Sequence, residues 1–261
     1  KVGFIGAGNM ATTIFSGMLK KNIFQKDQIY LYDINSNKLA AHVKTFGIHV
    51  VDTINELTSY SDIIIIAVKP NVAREVLSQI TCERKCILSI VTGLSYRDLK
   101  ENTAGEGNRF LRIMPNTPLL IGAGATAFAM PYTLEDGEIA IAERIFSSLG
   151  RVEYVPENLI SAVTGISGSG PAYGYLFIEA LADAGVKHGL PRDLSVRLAA
   201  QTILGAAAMV LETGKHTGIL KDEVCSPGGT TIEAVAKLEE CGLRNAVFQA
   251  VDACVEKANR I

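Results

Sequence analysis

Up to residue 154 the chain alternates short apolar, β-branched runs with segments of helical period, and beyond residue 156 the β-type runs disappear. Val2–Ile5, Gln28–Tyr32, Ile63–Val68, Ile87–Val91 and Phe110–Met114 read as strands with helical segments between them. Ile63-Ile64-Ile65-Ile66 is apolar at every position, which suits a strand covered on both faces. Ala123–Met130 and Arg151–Val155 read as later strands flanking a helix over Leu134–Leu149. This alternation predicts a mostly parallel sheet with helices on both faces.

The remainder reads as helices over Pro171–Lys187, Asp193–Thr213, Thr231–Glu240 and Leu243–Asn259, with Gly189, Gly214 and Gly242 at C-terminal stops. Two domains are expected, 1–155 and 156–261. Between Leu198 and Leu211 only Gln201, Thr202 and Gly205 are not apolar. A helix apolar on nearly every side must be covered on nearly every side. So small a bundle cannot do that alone, so a partner subunit is expected.

The first strand runs into Gly6-Ala7-Gly8-Asn9-Met10-Ala11 and then a helical pattern, Thr12–Lys20. A GxGxxA turn between strand and helix has a physical use. Gly6 permits the tight turn, Gly8 lets the backbone approach a pyrophosphate, and Ala11 allows close helix–strand packing. The free N–H groups of the helix face the phosphates. The reading is a Rossmann-type doubly wound α/β domain, binding NADP(H) or NAD(H), followed by an all-helical domain. Asp33 ends the second strand, where an acid can bind adenosine-ribose hydroxyls. Its charge opposes a 2′-phosphate, while Asn35, Ser36, Asn37 and Lys38 can cradle one. Alternatively, Asp33 caps the next helix.

Later strand ends carry Ala67-Val68-Lys69-Pro70, then Ile90-Val91-Thr92, then Pro115-Asn116-Thr117-Pro118. Open α/β sheets bind ligands at the carboxyl ends of their strands, so these segments are expected to line the cofactor groove. Asn116 can hydrogen-bond near a nicotinamide or form an Asx-turn. In the helical half, Ser226-Pro227-Gly228-Gly229-Thr230-Thr231 precedes a helix. Glycine and hydroxyl residues there make either a carboxylate-binding nest or a helix cap.

Composition narrows the partners. The formal charge of −2 gives no broad pull toward nucleic acid or anionic membrane. No apolar run approaches the roughly 20 residues of a membrane span. The opening residues form a strand and turn, not a basic leader, so a cytoplasmic location is expected. Five cysteines and four histidines show no metal-ligand spacing, and no histidine stands out as an acid or base.

In order along the chain, GFIGAGNMA, AVKP, RIMPNTP, TGISGSGPAY and KDEVCSPGGTTIEAVAKLE together resemble the pyrroline-5-carboxylate reductases. The resemblance implies reduction of 1-pyrroline-5-carboxylate to L-proline, and a helical domain that intertwines with a second subunit in a homodimer or ring of dimers. It places Ile5, Gly6, Ala7, Gly8, Asn9, Met10, Ala67, Val68, Lys69 and Pro70 on the cofactor, with Asn55 near the adenosine ribose. Ile90, Val91, Thr92 and Asn116 fall beside the nicotinamide. Ser226, Gly229, Thr230 and Thr231 hold the substrate, with Thr231 at its ring nitrogen, and Glu157 lies near it. The rivals are a β-hydroxyacid dehydrogenase and a non-catalytic dinucleotide sensor. The first wants a lysine on a central helix, and Asp193–Thr213 has none. The second needs no substrate nest.

Overall fold

The computed structural model describes residues 1–260. They divide into two compact units, Gly170–Ala253 and the rest of the described chain. The first unit holds β1 (Val2–Ile5), β2 (Ile29–Tyr32), β3 (His49–Val50), β4 (Ile63–Ile66), β5 (Cys86–Ser89), β6 (Arg109–Met114), β7 (Gly124–Met130) and β8 (Gly150–Pro156). They form one sheet in the order β3-β2-β1-β4-β5-β6-β7-β8. Every neighbouring pair is parallel except β6 with β7. The link from Met114 to Gly124 is shorter than the crossover of about a dozen residues that a parallel return needs. All the strands expected from the sequence are present, β1 with the expected ends and the others with shifted ones. The addition is β3, whose two exposed residues carry no hydrophobic pattern and pair only with Tyr30 and Leu31.

Helices α1 (Asn9–Lys20), α2 (Ser36–Phe46), α3 (Ile54–Tyr60), α4 (Pro70–Ser78), α5 (Tyr96–Asn102), α6 (Asp136–Ser147) and α7 (Ile160–Val163) accompany the sheet. Alternate strand residues feed two cores. Val2, Phe4, Ile63 and Ile65 pack with Ile14, Phe15 and Phe146 on one face. Ile5, Ile64 and Ile66 pack with Leu57, Leu77 and Leu99 on the other. Successive side chains of a strand point to opposite faces, so a continuous apolar run is what two cores require. Each fully buried Ile, Phe or Leu contributes about 1.5–3 kcal/mol.

The second unit holds α8 (Gly170–Lys187), α9 (Arg192–Thr213), α10 (Thr217–Val224), α11 (Thr230–Glu240) and most of α12 (Leu243–Ala258). The short, largely polar α10 was not expected; the His216 ring caps it by accepting from Gly218 N–H at 3.1 Å. α8 packs on α9, where the Ser195 hydroxyl donates to the Ala182 carbonyl at 2.7 Å. Helical structure begins just after Pro156, yet 157–169 groups with the sheet. α9 corrects one expectation. It is 22 residues long, with a mean hydropathy of 1.6, long and apolar enough by those measures to cross a membrane. Only Ser195 and Ala199 of this helix are buried, and Leu198, Leu204, Met209 and Leu211 lie open in the single chain.

A two-pronged ion pair clips the start of β6 to the first turn of α6. Arg109 donates from Nε to Glu138 Oε2 at 2.7 Å and from Nη2 to Oε1 at 2.6 Å. Glu138 also accepts from the Glu135 backbone N–H at 3.0 Å. Burial alone raises the Glu138 carboxyl pKa; the hydrogen bonds and charge of Arg109, with that N–H, outweigh it and hold the value below the usual range. A lowered carboxyl pKa means stability present above the unfolded-state value of about 4.3. That stability is lost as pH falls through the folded value. Glu138→Gln is therefore expected to cost about 1.5–3 kcal/mol at pH 7. Its deficit against wild type should shrink on acidification below about pH 4. Denaturant titrations at both pH values check this; equal deficits would show that the carboxylate charge is not what stabilises the clip.

Candidate functional site

The carboxyl ends of β1, β4, β5 and β6 lie side by side, with the glycine turn following β1, between β2 and β4. Gly6 has φ +104°, where residues with a Cβ are rarely found. A Cβ there would stand 2.6 Å from the Ala67 carbonyl oxygen. The turn is held on both sides, since Gly6 N–H donates to Tyr32 O and Ala67 N–H to Ile5 O, each at 2.8 Å. Gly8 is the N-cap of α1, with no side-chain cap and no acid in the first turn. A Cβ on Gly8 would meet nothing within 4 Å. An uncapped, positively polarised helix end below open space fits an anionic group such as a pyrophosphate.

Above the turn runs a groove of about 470 Å³, lined by Ile5, Gly6, Gly8, Tyr32, Asp33, Ile34, Asn35, Lys38, Ala67, Val68 and Lys69. Ile54 and residues of α4, among them Asn71, Val72 and Glu75, complete it. A second hollow of about 390 Å³ shares Asn71 and adds Pro70, Arg74, Thr92, Gly93 and Leu94. Together these hollows are of the size and lining of a small-molecule cofactor site. The two carboxylate oxygens of Asp33 face backbone, accepting from Ala7 N–H at 2.7 Å and Asn35 N–H at 2.8 Å. Asp33 thus ties the glycine turn to the end of β2. The cap of α2 is instead Asn35, whose side chain accepts from Lys38 N–H at 3.2 Å.

The expected cofactor residues divide by location. Ile5, Gly6, Gly8, Asp33, Ala67, Val68 and Lys69 line the groove, and Pro70 and Thr92 the adjoining hollow. Ala7 is buried in the turn, Asn9 is exposed, and Met10 packs against the core. Ile90 and Val91 are half-buried and buried at the end of β5. Asn55 is not brought to the groove. Its side-chain Oδ1 accepts from the Thr81 hydroxyl at 3.1 Å, and Ile54 takes the lining position. Glu157 accepts from Tyr96 N–H at 2.6 Å and Arg112 at 3.2 Å, so its carboxylate braces the start of α5. Asn116 is buried, donating to Ser167 O at 3.0 Å and accepting from Ala125 N–H at 2.8 Å. The α4 contribution was missed from sequence, although Pro70 at the first helical position marks where that helix begins.

In the second unit, Gly228 at φ +65° turns the chain into Gly229, the N-cap of α11, again without a side-chain cap. Gly229 N–H donates to Ser226 O at 3.0 Å, and the Ser226 hydroxyl lies over Gly229 where a Cβ would stand. Thr230 is exposed and Thr231 half-buried at the first turn. Ser226, Gly229, Thr230 and Thr231 thus lie together at one helix end. Two histidines do structural work: His42 packs edge-on against Phe15, and His49 stacks on Tyr30. Among the described residues the cysteines are free and no group of side chains is arranged to hold a metal.

Comparison with known proteins finds two families. Residues 157–261 match the family described as pyrroline-5-carboxylate reductase dimerisation, and residues 1–93 match NADP oxidoreductase coenzyme F420-dependent. Pyrroline-5-carboxylate reductase of Escherichia coli (strain K12) is 42% identical, over 100% of this chain and 98% of its own. That of Glycine max is 41% identical, over 100% and 95%. A crystal structure of Plasmodium falciparum pyrroline carboxylate reductase with NADP bound superposes with a TM-score of 0.88 at 35% identity, covering 100% of this chain and 97% of that one.

The two glycines of the turn should respond differently to the same added methyl. Gly6→Ala forces a Cβ onto the Ala67 carbonyl at an unfavourable φ, and is expected to cost about 1–3 kcal/mol. Gly8→Ala meets open space and should leave the melting temperature within about 1 °C of wild type. Thermal melts of both variants check this, and equal losses would refute the asymmetry.

Proposed function

The chain belongs to the pyrroline-5-carboxylate reductase family and is an NAD(P)H-dependent oxidoreductase, and from that premise we propose how its residues divide the reaction. The substrate is the ring imine of 1-pyrroline-5-carboxylate and the product L-proline. The observation that carries the cofactor half is the uncapped N-terminus of α1 under open space at Gly8. Its N–H groups hold the pyrophosphate of NADP(H), the dinucleotide bound by the Plasmodium falciparum relative. Asn35 and Lys38, which line the groove beside Asp33, hold the 2′-phosphate. Asp33 stands beside them with both oxygens on backbone N–H groups, and its charge opposes that phosphate, so Lys38 has to offset it. NAD(H) fits the same groove without needing Lys38.

When bound, the reduced dinucleotide supplies the hydride. A protonated cyclic imine is already electrophilic, so the chain needs chiefly to orient it and to hold its charge. That agrees with the structural employment of His42, His49 and His216. The N–H groups of α11, with Ser226, Gly229 and Thr230, hold the substrate carboxylate. Thr231 keeps its hydroxyl on the ring nitrogen, steadying the N–H proton as the carbon receives hydride. Glu157 braces α5 and does not touch substrate, its carboxylate being engaged by Arg112 and Tyr96.

The helical residues 156–261 act as the substrate-binding and dimerisation domain. The open apolar surface of α9 is covered by a second copy, giving a cytoplasmic homodimer that can build a ring of dimers. The match to a dimerisation family over residues 157–261 supports a protein partner there over lipid. Light scattering at micromolar concentration is expected to find a dimer or its multiple, and a stable, active monomer would overturn the assignment.

The function is tested at Thr231. Thr231→Ala retains the helix start and removes one hydrogen bond to a charged group, about 1.5–3 kcal/mol. Expressed fully in the transition state, this lowers kcat/KM for pyrroline-5-carboxylate by roughly ten- to a hundredfold. Cofactor affinity should hardly change, and Thr231→Ser should keep most of the activity. A folded alanine variant working at the wild-type rate would reduce Thr231 to a helix-start residue.

A further inference from the structure

Between α7 and α8 the backbone makes a π-helical turn, Thr164–Gly168, closed by Ser169 N–H donating to Thr164 O at 2.8 Å. Such turns are rare and concentrate at functional positions. Pro171 stands four residues after Ser167 and has no N–H, so the Ser167 carbonyl cannot take its normal helical donor. A carbonyl left that way inside a protein needs a partner from elsewhere. The partner is Asn116, whose side-chain amide donates to Ser167 O at 3.0 Å. The other end of the same side chain accepts from Ala125 N–H at 2.8 Å, anchoring it to β7. Gly168 completes the fit, since a Cβ there would come within 2.8 Å of the Met114 methyl.

Asn116 follows Met114 and Pro115 at the carboxyl end of β6, beside the end of β5. In a sheet of this order the nicotinamide half of a dinucleotide belongs at those strand ends. We infer that Asn116 is a positioning residue for hydride transfer: it replaces the amide hydrogen that Pro171 lacks and so locks the Thr164–Gly168 turn against the nicotinamide end of the sheet. The inference rests on the reductase function proposed above. Asn116 works through the turn and not as a cofactor ligand, because its carbonyl and an amide hydrogen are already committed within a site only 8% exposed. Unlocking the turn lets the ends of β6 and of the turn drift, and displacements of an ångström or less are costly in a hydride transfer.

Asn116→Ala tests the lock, and Pro171→Ala added to it tests the cause, because alanine at 171 returns a backbone N–H to the Ser167 carbonyl. Amide hydrogen exchange over residues 160–175 of the cofactor-free protein should speed up by about tenfold or more in the single variant and slow again in the double variant. With NADPH and pyrroline-5-carboxylate, kcat should fall by roughly tenfold in the single variant and recover in part in the double one. The dissociation constant for NADPH should stay within about twofold throughout. Should Asn116→Ala not fold, Asn116→Asp retains the acceptor for Ala125 N–H and is read in the same way. Unchanged exchange, a double variant no better than the single, or faster exchange with wild-type kcat would each overturn the inference. So would a weakened NADPH affinity at unchanged kcat, which would make Asn116 a ligand. A wild-type protein that does not reduce pyrroline-5-carboxylate would sink the functional reading, and the exchange measurements would still decide whether the lock exists.

Discussion

The approach of Gly6 to the Ala67 carbonyl is the constraint on which the cofactor site depends. β1 runs in the middle of the sheet, hydrogen-bonded to β2 and β4, so its last residue cannot move. The chain must turn at once to start α1, in a space a methyl group would overfill. Only then do the α1 N–H groups point over the strand ends. Asp33 acts on the same turn from the other side, taking the Ala7 N–H and leaving the following helix to Asn35. An acid at the end of β2 is therefore part of the glycine turn's frame.

The same economy governs two side chains near β6. Glu157 and Asn116 are polar side chains placed where a substrate or nicotinamide was expected to be touched, and each is occupied by protein. Glu157 gathers Arg112 and the first N–H of α5; Asn116 gathers β7 and the π turn. Buried polar groups carry a desolvation cost of about 1–3 kcal/mol when left unpaired. Where a backbone irregularity exposes such a group, here the Ser167 carbonyl four residues before Pro171, a side-chain amide, that of Asn116, takes it up. Around a reaction that asks mainly for alignment, such braces can matter as much as the groups that touch the ligand.

The two units differ in how their apolar residues are covered. In the sheet unit, period-2 runs deliver Phe4 and Ile5, or Ile65 and Ile66, to separate cores within one chain. In α9 the apolar residues are spread around the helix, and of them the single chain buries only Ala199, beside the polar Ser195. The single chain leaves that helix uncovered, and it lies within the residues that match the dimerisation family, 157–261.

Hydrophobic periodicity alone determined the parallel strands, the switch to helices after Pro156 and the need of α9 for a covering surface, because burial follows directly from side-chain pattern. The spacing Gly6, Gly8, Ala11 determined the phosphate turn, because only particular residue types permit that backbone. What the sequence could not decide was the employment of individual polar side chains. Asn55, Asp33, Asn116 and Glu157 each carry groups able to meet a ligand, and residue type is silent on which partner is nearer. That choice is made by contacts between residues far apart in the chain: Thr81 for Asn55, Ala7 for Asp33, Ser167 for Asn116 and Arg112 for Glu157. β3 belongs with them, since two exposed residues become a strand only because β2 offers them an edge.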